Sequence, residues 1–225
     1  MIIVVSMGYS RQGIALGLVM IALVFLARNR RLWFVFFVLL ATSFHKTAII
    51  MLPIAALATT QKKILIFFWI LIIGLAVYFS AFFSQIERLF QYYVQEEYQS
   101  EGAFIRLLML FLPSLILLLW PHRFKIHYAE LRLWKICALL SMSCFALLFV
   151  SDSSTAIDRV ALYLLPLQLV VFSYLPEFFG NSGEQRQLIV FGVIIYYLAV
   201  LFVWLNFAFY SIYWLPYNNL FFNWS

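Results

Sequence analysis

A long apolar stretch between residues 28 and 63 constrains the fold more than any other part of the chain. Basic clusters lie at its two ends, at residues 28–31 and 62–63, and a His45-Lys46 pair interrupts it. Membrane proteins keep Lys and Arg mainly on the cytoplasmic side, so a single crossing would put one cluster on the wrong side. The stretch therefore predicts a hairpin that enters and leaves from the cytoplasm and carries His45-Lys46 deep into, or across, the bilayer.

Composition excludes a soluble protein. Of the 225 residues, 66% are hydrophobic and only 11% are charged, and the mean hydropathy is +0.99. A soluble domain could not hide that much apolar surface. The apolar runs are continuous over about 20 residues, as in membrane helices, and do not alternate as in barrel strands. The net charge of +6 lies largely in short loops, where it sets orientation and contacts lipid headgroups, and no nucleic-acid partner is expected.

Hydropathy predicts an all-α polytopic membrane protein that forms one integral membrane domain over residues 1–225. Two short helices, 32–44 and 46–60, are each too short for a hydrocarbon core of about 30 Å. They form either a re-entrant hairpin or a double crossing of a thinned membrane. Pro53, Pro113 and Pro166 fall inside helices and are expected to kink them. About six long spans complete the fold: 8–27, 64–83, 103–121, 133–150, 160–179 and 187–210.

The charges of the loops predict the orientation. The basic loops at 28–31, 62–63 and 121–135 are assigned to the cytoplasm, and the glutamate-rich segment 85–102 to the outside. Both chain ends then lie outside. This layout brings basic side chains from four segments to the outer level: Arg11, Arg106, Arg159 and the His45-Lys46 pair. Two simpler readings stay open, in which the arginines extend to lipid headgroups and His45 is a buried ring bonded to a backbone carbonyl.

The common soluble-enzyme motifs are missing from the sequence. The chain has no Asp-x-Asp pair, no glycine-rich phosphate loop and no His/Cys cluster with metal-ligand spacing. Its two aspartates, Asp152 and Asp158, lie six residues apart and form no metal motif. We therefore expect neither a metal nor a cofactor, and the sequence argues against a nucleotide-dependent enzyme of the soluble type.

Four short segments carry a family resemblance. They are residues 8–15 (GYSRQGIA), 43–48 (SFHKTA), 158–163 (DRVALY, followed by Pro166 and Gln168) and 214–217 (WLPY). In this order and spacing they resemble the EpsG-type exopolysaccharide polymerases of the Wzy class, over nearly the whole chain. Members of that family usually carry several more spans before the Tyr-x-Arg-Gln segment. The resemblance therefore implies that this chain is the C-terminal part of a longer polymerase.

The resemblance implies a glycosyltransferase of the bacterial plasma (inner) membrane. Such enzymes join oligosaccharide repeat units carried on undecaprenyl diphosphate into exopolysaccharide or O-antigen at the outer face. Expelling a lipid diphosphate requires cations, and the acceptor hydroxyl requires a base, for which His45 is the first candidate and Asp158 the second. The catalytic residues predicted on this basis are His45, Arg11 and Arg159, and the substrate-binding residues are Lys46, Arg106, Asp158, Tyr9 and Gln12.

Other functions stay open at this stage. A transporter for lipid-linked glycans would use a similar basic cavity, although the chain lacks the second broken element that transporter repeats often show. A ligase with the same donor and another acceptor is chemically almost identical, and an inactive fragment of a polymerase is a third alternative. Besides the lipid-linked oligosaccharide and membrane lipids, the expected partners are a chain-length regulator and a flippase of the same pathway.

Overall fold

The structure is a computed structural model that describes residues 4–5, 8–59, 102–150, 154–208 and 211. All secondary structure in these residues is helical, as the sequence predicts. The α-helices are α1 (Ser10–Ala27), α2 (Arg31–Phe44), α3 (Met51–Thr59), α4 (Ala103–Leu119), α5 (Tyr128–Leu147), α6 (Ser154–Ala161), α7 (Pro166–Phe179) and α8 (Gly183–Phe207). Short 3₁₀ turns lie at Lys46–Ile50, Pro121–Arg123 and Leu162–Leu164.

Within the described residues, two or three of the six predicted membrane spans are clear by length and composition. Helices α1 and α8 are long and apolar enough to cross a membrane, and the bent pair α6–α7 adds a third if it counts as one span. Helix α4 has 17 residues, about 25 Å, which is short for a hydrocarbon core of about 30 Å. Helix α5 begins with Glu130, Arg132 and Lys135 in its first turns, which shortens its apolar part. The predicted span 64–83 lies outside the described residues.

The predicted break at His45 is present. Helix α2 ends at Phe44, and His45 has extended backbone angles (φ −148°, ψ 114°). The chain then continues through the 3₁₀ turn Lys46–Ile50 into α3. These are the two short apolar helices expected at 32–44 and 46–60, with the polar pair between them. Whether they re-enter the membrane or cross it stays a prediction, and the basic pair at 62–63 lies outside the described residues.

Prolines shape two of the helices in different ways. Pro166 follows the 3₁₀ turn Leu162–Leu164, and the helices on either side of this turn are bent by 47°. The kink predicted at this proline is therefore confirmed. Pro53 lies in the first turn of α3, where a missing N–H removes no α-helical hydrogen bond. It starts that helix and does not interrupt it.

The described residues belong to two compact units, one of residues 15–174 and one of residues 1–14 with 175–225. In the larger unit α4 packs along α5, α3 packs on α5, and α6 contacts α4, α5 and the 3₁₀ turn Lys46–Ile50. Leu107, Leu110 and Leu117 of α4 are fully buried there. This packing places the short helix α6 beside the break that contains His45.

Helix α8 belongs to the smaller unit. Ser182 caps its N-terminus by accepting a hydrogen bond from the Gln185 backbone N–H at 3.3 Å. None of the residues of this long apolar helix is buried within the chain. A long apolar helix that is exposed or half-buried along its length is typical of a helix with lipid neighbours, which agrees with the membrane character of the sequence.

Candidate functional site

His45 is the centre of a small polar cluster in the larger unit. The Thr47 hydroxyl lies 2.7 Å from His45 Nδ1, and the Tyr163 hydroxyl lies 3.1 Å from the same nitrogen. Within the described residues, both hydrogen-bonding contacts of the ring therefore use Nδ1. The half-buried ring is therefore held by two hydroxyls at the same nitrogen.

Tyr163 reaches this cluster because two helix breaks meet. It lies in the 3₁₀ turn Leu162–Leu164, at the bend before Pro166, and its side chain is only 1% exposed. The rings of His45 and Tyr163 have centroids 6.2 Å apart. The break between α2 and α3 and the bend between α6 and α7 thus contact each other at a polar point. In membrane proteins, a broken helix leaves backbone groups and side chains available to a ligand. Such breaks are common at binding sites.

Arg159 and Lys46 supply positive charge next to the ring. Arg159 lies in α6, which packs against the 3₁₀ turn that begins at Lys46. The Lys46 side chain is exposed and that of Arg159 is half-buried. Burial, together with the charge of Arg159, lowers the pKa of His45 below its ordinary value. This shift favours the neutral form of the ring.

Arg106 and Asp158 form a buried ion pair. Arg106 Nε donates to Asp158 Oδ1 at 2.8 Å, and Arg106 Nη2 donates to Oδ2 at 2.7 Å. The two side chains are 13% and 3% exposed. This bidentate pair joins α4 to α6, and Asp158 directly precedes Arg159 in α6. With both carboxylate oxygens engaged, the geometry favours a role in placing Arg159 over direct contact with the substrate.

The other predicted site residues lie in the smaller unit, at the start of α1. Tyr9 and Arg11 are exposed, and Gln12 is buried at 3%. Arg11 and Gln12 form part of the first helical turn, and Tyr9 precedes it. That Arg11 joins Arg159 and His45 at one site stays a prediction.

Two residues of the cluster were missed by the sequence reasoning. Thr47 and Tyr163 both lie within the segments that carry the family resemblance, 43–48 and 158–163, yet only the charged members of these segments were assigned roles. The available signal in the sequence was the hydroxyl of Thr47, two residues after the candidate His45. Among the described residues, no group of three His, Cys, Asp or Glu side chains is arranged to hold a metal ion.

Comparison with known proteins decides the family. The EpsG family model matches residues 1–219. The chain belongs to the EpsG family. Searches of curated proteins and of solved structures gave no match. Membership confirms the resemblance carried by the four sequence segments, of which 214–217 lies outside the described residues. It associates this EpsG-family chain with polysaccharide biosynthesis at a membrane and with exopolysaccharide-related polymerisation.

Proposed function

We propose that this EpsG-family chain polymerises oligosaccharide repeat units carried on undecaprenyl diphosphate. The growing glycan is transferred from its lipid diphosphate to a hydroxyl of the next repeat unit. Family membership supports the class of reaction. The observation that carries the proposal is the contact of α6 with the 3₁₀ turn at Lys46, which gathers Arg159, Lys46 and His45 from two distant segments.

The positively charged side chains of the site address the main chemical difficulty of this reaction, which is the departure of an anionic diphosphate. The C1–O bond between sugar and diphosphate breaks, and the departing oxygen becomes part of a strongly anionic group. Arg159 and Lys46 stabilise this charge, and a preorganised donor in a site from which water is excluded is worth about 3 kcal/mol. Arg159 also offers a planar fork that matches two phosphate oxygens. Arg11 keeps its predicted role as a further cation for the diphosphate.

His45 serves the same step in one of two ways. It either takes the proton of the acceptor hydroxyl or donates a hydrogen bond to a phosphate oxygen. The role as a base needs a neutral ring, and both roles need a ring whose orientation is fixed, which the hydroxyls of Thr47 and Tyr163 provide through Nδ1. In either role Nε2 faces the substrate.

The site is proposed to open to the outer face of the bacterial plasma membrane. The basic residues at 28–31 and in the loop around the 3₁₀ turn Pro121–Arg123 mark the cytoplasmic ends of their helices. The His45 break lies at the far end of α2 from the first of these clusters. The ligase and transporter alternatives share this geometry, so they are outcomes of the test below.

Glycan chain length in a strain that lacks this gene tests the proposal. We expect the wild-type chain to restore long glycans, the His45→Ala variant to yield only short ones, and the His122→Ala variant to behave as wild type. His122 is a matched control because it is an exposed histidine on the 3₁₀ turn Pro121–Arg123.

Other outcomes of this experiment identify the alternatives. Repeat units that accumulate on the inner leaflet of the deletion strain would indicate a transporter. Normal polymer length with glycan missing from a final acceptor would indicate a ligase. Unchanged glycans in the presence of membrane-inserted wild-type chain would contradict a polymerase and indicate an inactive fragment.

A further inference from the structure

The contacts of His45 Nδ1 decide which nitrogen of the ring carries the proton. Thr47 Oγ1 and Tyr163 Oη lie 2.7 Å and 3.1 Å from Nδ1. The three groups form a polar cluster at the meeting point of the two helix breaks. Tyr163 is almost completely buried, so water has little access to its hydroxyl as a hydrogen-bond partner.

Counting hydrogens in the cluster favours one tautomer. Each hydroxyl has one hydrogen to donate, and a neutral imidazole has one protonated and one accepting nitrogen. If Nδ1 accepts, one of the two hydroxyls donates its hydrogen to it. If Nδ1 carries the proton, neither hydroxyl hydrogen finds an acceptor on the ring. A buried donor without an acceptor is costly, which disfavours the second arrangement.

The positive charges near the ring also argue against a doubly protonated His45. A doubly protonated ring would donate from Nδ1 and leave a hydroxyl hydrogen without an acceptor in the same way. It would also add a third positive charge beside Arg159 and Lys46. Burial and Arg159 keep the ring neutral by lowering the pKa of His45. In a neutral ring that accepts at Nδ1, the proton lies on Nε2.

We infer that His45 is held as the Nε2–H tautomer and donates a hydrogen bond to a phosphate oxygen of the lipid diphosphate. Thr47 and Tyr163 are positioning residues that fix this tautomer. The identity of the ligand rests on the proposed function, whereas the tautomer rests on the hydrogen-bond geometry alone. This choice removes His45 as the base for the acceptor hydroxyl.

The balance of the reaction follows from this role. The C1–O bond to the diphosphate breaks with its electron pair on the departing oxygen, and the new C1–O bond forms to the acceptor oxygen. The proton of the acceptor ends on the released diphosphate or in water, and His45 keeps its own proton. Stabilisation comes from the hydrogen bond that Nε2–H makes as negative charge develops on the phosphate oxygens.

Nitrogen NMR of the full chain tests the tautomer directly. The chain is labelled with ¹⁵N-histidine, carries His122→Gln and His127→Gln so that His45 alone is observed, and is placed in lipid nanodiscs at neutral pH. The expected spectrum shows an unprotonated Nδ1 and a protonated Nε2. A protonated Nδ1, or a mixture of the two tautomers, would overturn the inference. This readout needs no substrate, so it stands or fails separately from the proposed function.

A conservative substitution tests the role as a donor. The amide nitrogen of His45→Gln can reach the position of Nε2 and donate, but it cannot act as a base. We expect His45→Ala to lower the rate of polymer formation about 100-fold and His45→Gln to recover about tenfold of that loss. Equal losses in the two variants, with wild-type amounts of protein in the membrane, would contradict a hydrogen-bond donor.

The positioning residues have their own control. Thr47→Val removes the hydroxyl that donates to Nδ1 and should produce a mixture of tautomers in the NMR spectrum. Thr47→Ser keeps the hydroxyl and should retain the wild-type spectrum. An unchanged spectrum in Thr47→Val would show that Thr47 does not fix the tautomer. Because the comparison is spectroscopic, it does not depend on activity of the variants.

Discussion

Replacing Arg159 by Ala should abolish long glycan chains while the protein still inserts into the membrane. Arg159 lies beside His45 and packs, through α6, against the turn that bears Lys46. Loss of one preorganised donor to a developing anion lowers the turnover rate by about 10²–10³. Arg159→Lys keeps the charge without the planar fork and should give chains of intermediate length. The measurement is the length distribution of glycans from cells that carry each variant in place of the wild-type gene.

The Arg159 experiment needs a control substitution at an arginine outside the proposed site and a substitution at a second predicted site residue. Arg28→Ala is the control, because Arg28 is exposed, lies after α1 and belongs to the predicted cytoplasmic cluster. Arg11→Ala should behave like Arg159→Ala if Arg11 joins the same diphosphate. Normal length distributions from both Arg159→Ala and Arg11→Ala, at wild-type protein levels, would contradict the assignment of these two residues.

Removing one partner of the Arg106–Asp158 pair should strongly destabilise the larger unit. The pair is bidentate and almost completely buried, so Arg106→Ala leaves the Asp158 carboxylate without its charge partner. Breaking a buried ion pair in this way costs about 3–5 kcal/mol. Thermal unfolding of the purified variants in detergent measures this loss. Asp158→Ala should be destabilised to a similar extent, because it leaves the guanidinium of Arg106 buried.

A double substitution separates structure from catalysis at this pair. Replacing a buried ion pair by apolar residues of similar volume is often neutral in stability, so Arg106→Leu with Asp158→Leu should recover most of the loss. If the sole role of the Arg106–Asp158 pair is to position Arg159, this double variant should also recover long glycans. A stable double variant without polymer would show instead that Arg106 or Asp158 contacts the substrate. An Arg106→Ala variant as stable as the wild type would contradict a structural role for the pair.

Local features of the sequence predicted the helical class and the position of the breaks. Continuous apolar runs give helices because the bilayer leaves the backbone no other partner for its hydrogen bonds. The polar pair at His45-Lys46 interrupts such a run, and Pro166 lacks the N–H that would continue a helix. Each of these signals acts within a few residues of the feature it determines. The break at His45 and the bend before Pro166 were therefore predictable.

Contacts between distant segments were not predictable in the same way. The Arg106–Asp158 pair joins residues 52 apart, and the His45–Tyr163 contact joins residues 118 apart. Loop charges assigned Arg106 and Arg159 to one level of the membrane, yet they could not show that Arg106 binds Asp158. Hydropathy did not predict the short length of α4 or the charged first turns of α5, so the six predicted spans are confirmed only in part.

The proposed function requires the His45 cluster to open to the outer face of the membrane. Single cysteines at Lys46→Cys and Lys62→Cys test it in intact cells, with an impermeant thiol reagent and with the buried Cys137 and Cys144 replaced by Ala. The exposed side chain of residue 46 should be labelled from outside, and residue 62 should not. Labelling at residue 62 would mean that the chain crosses the membrane once between the basic clusters at 28–31 and 62–63, which would contradict the predicted hairpin and the outward-facing cluster.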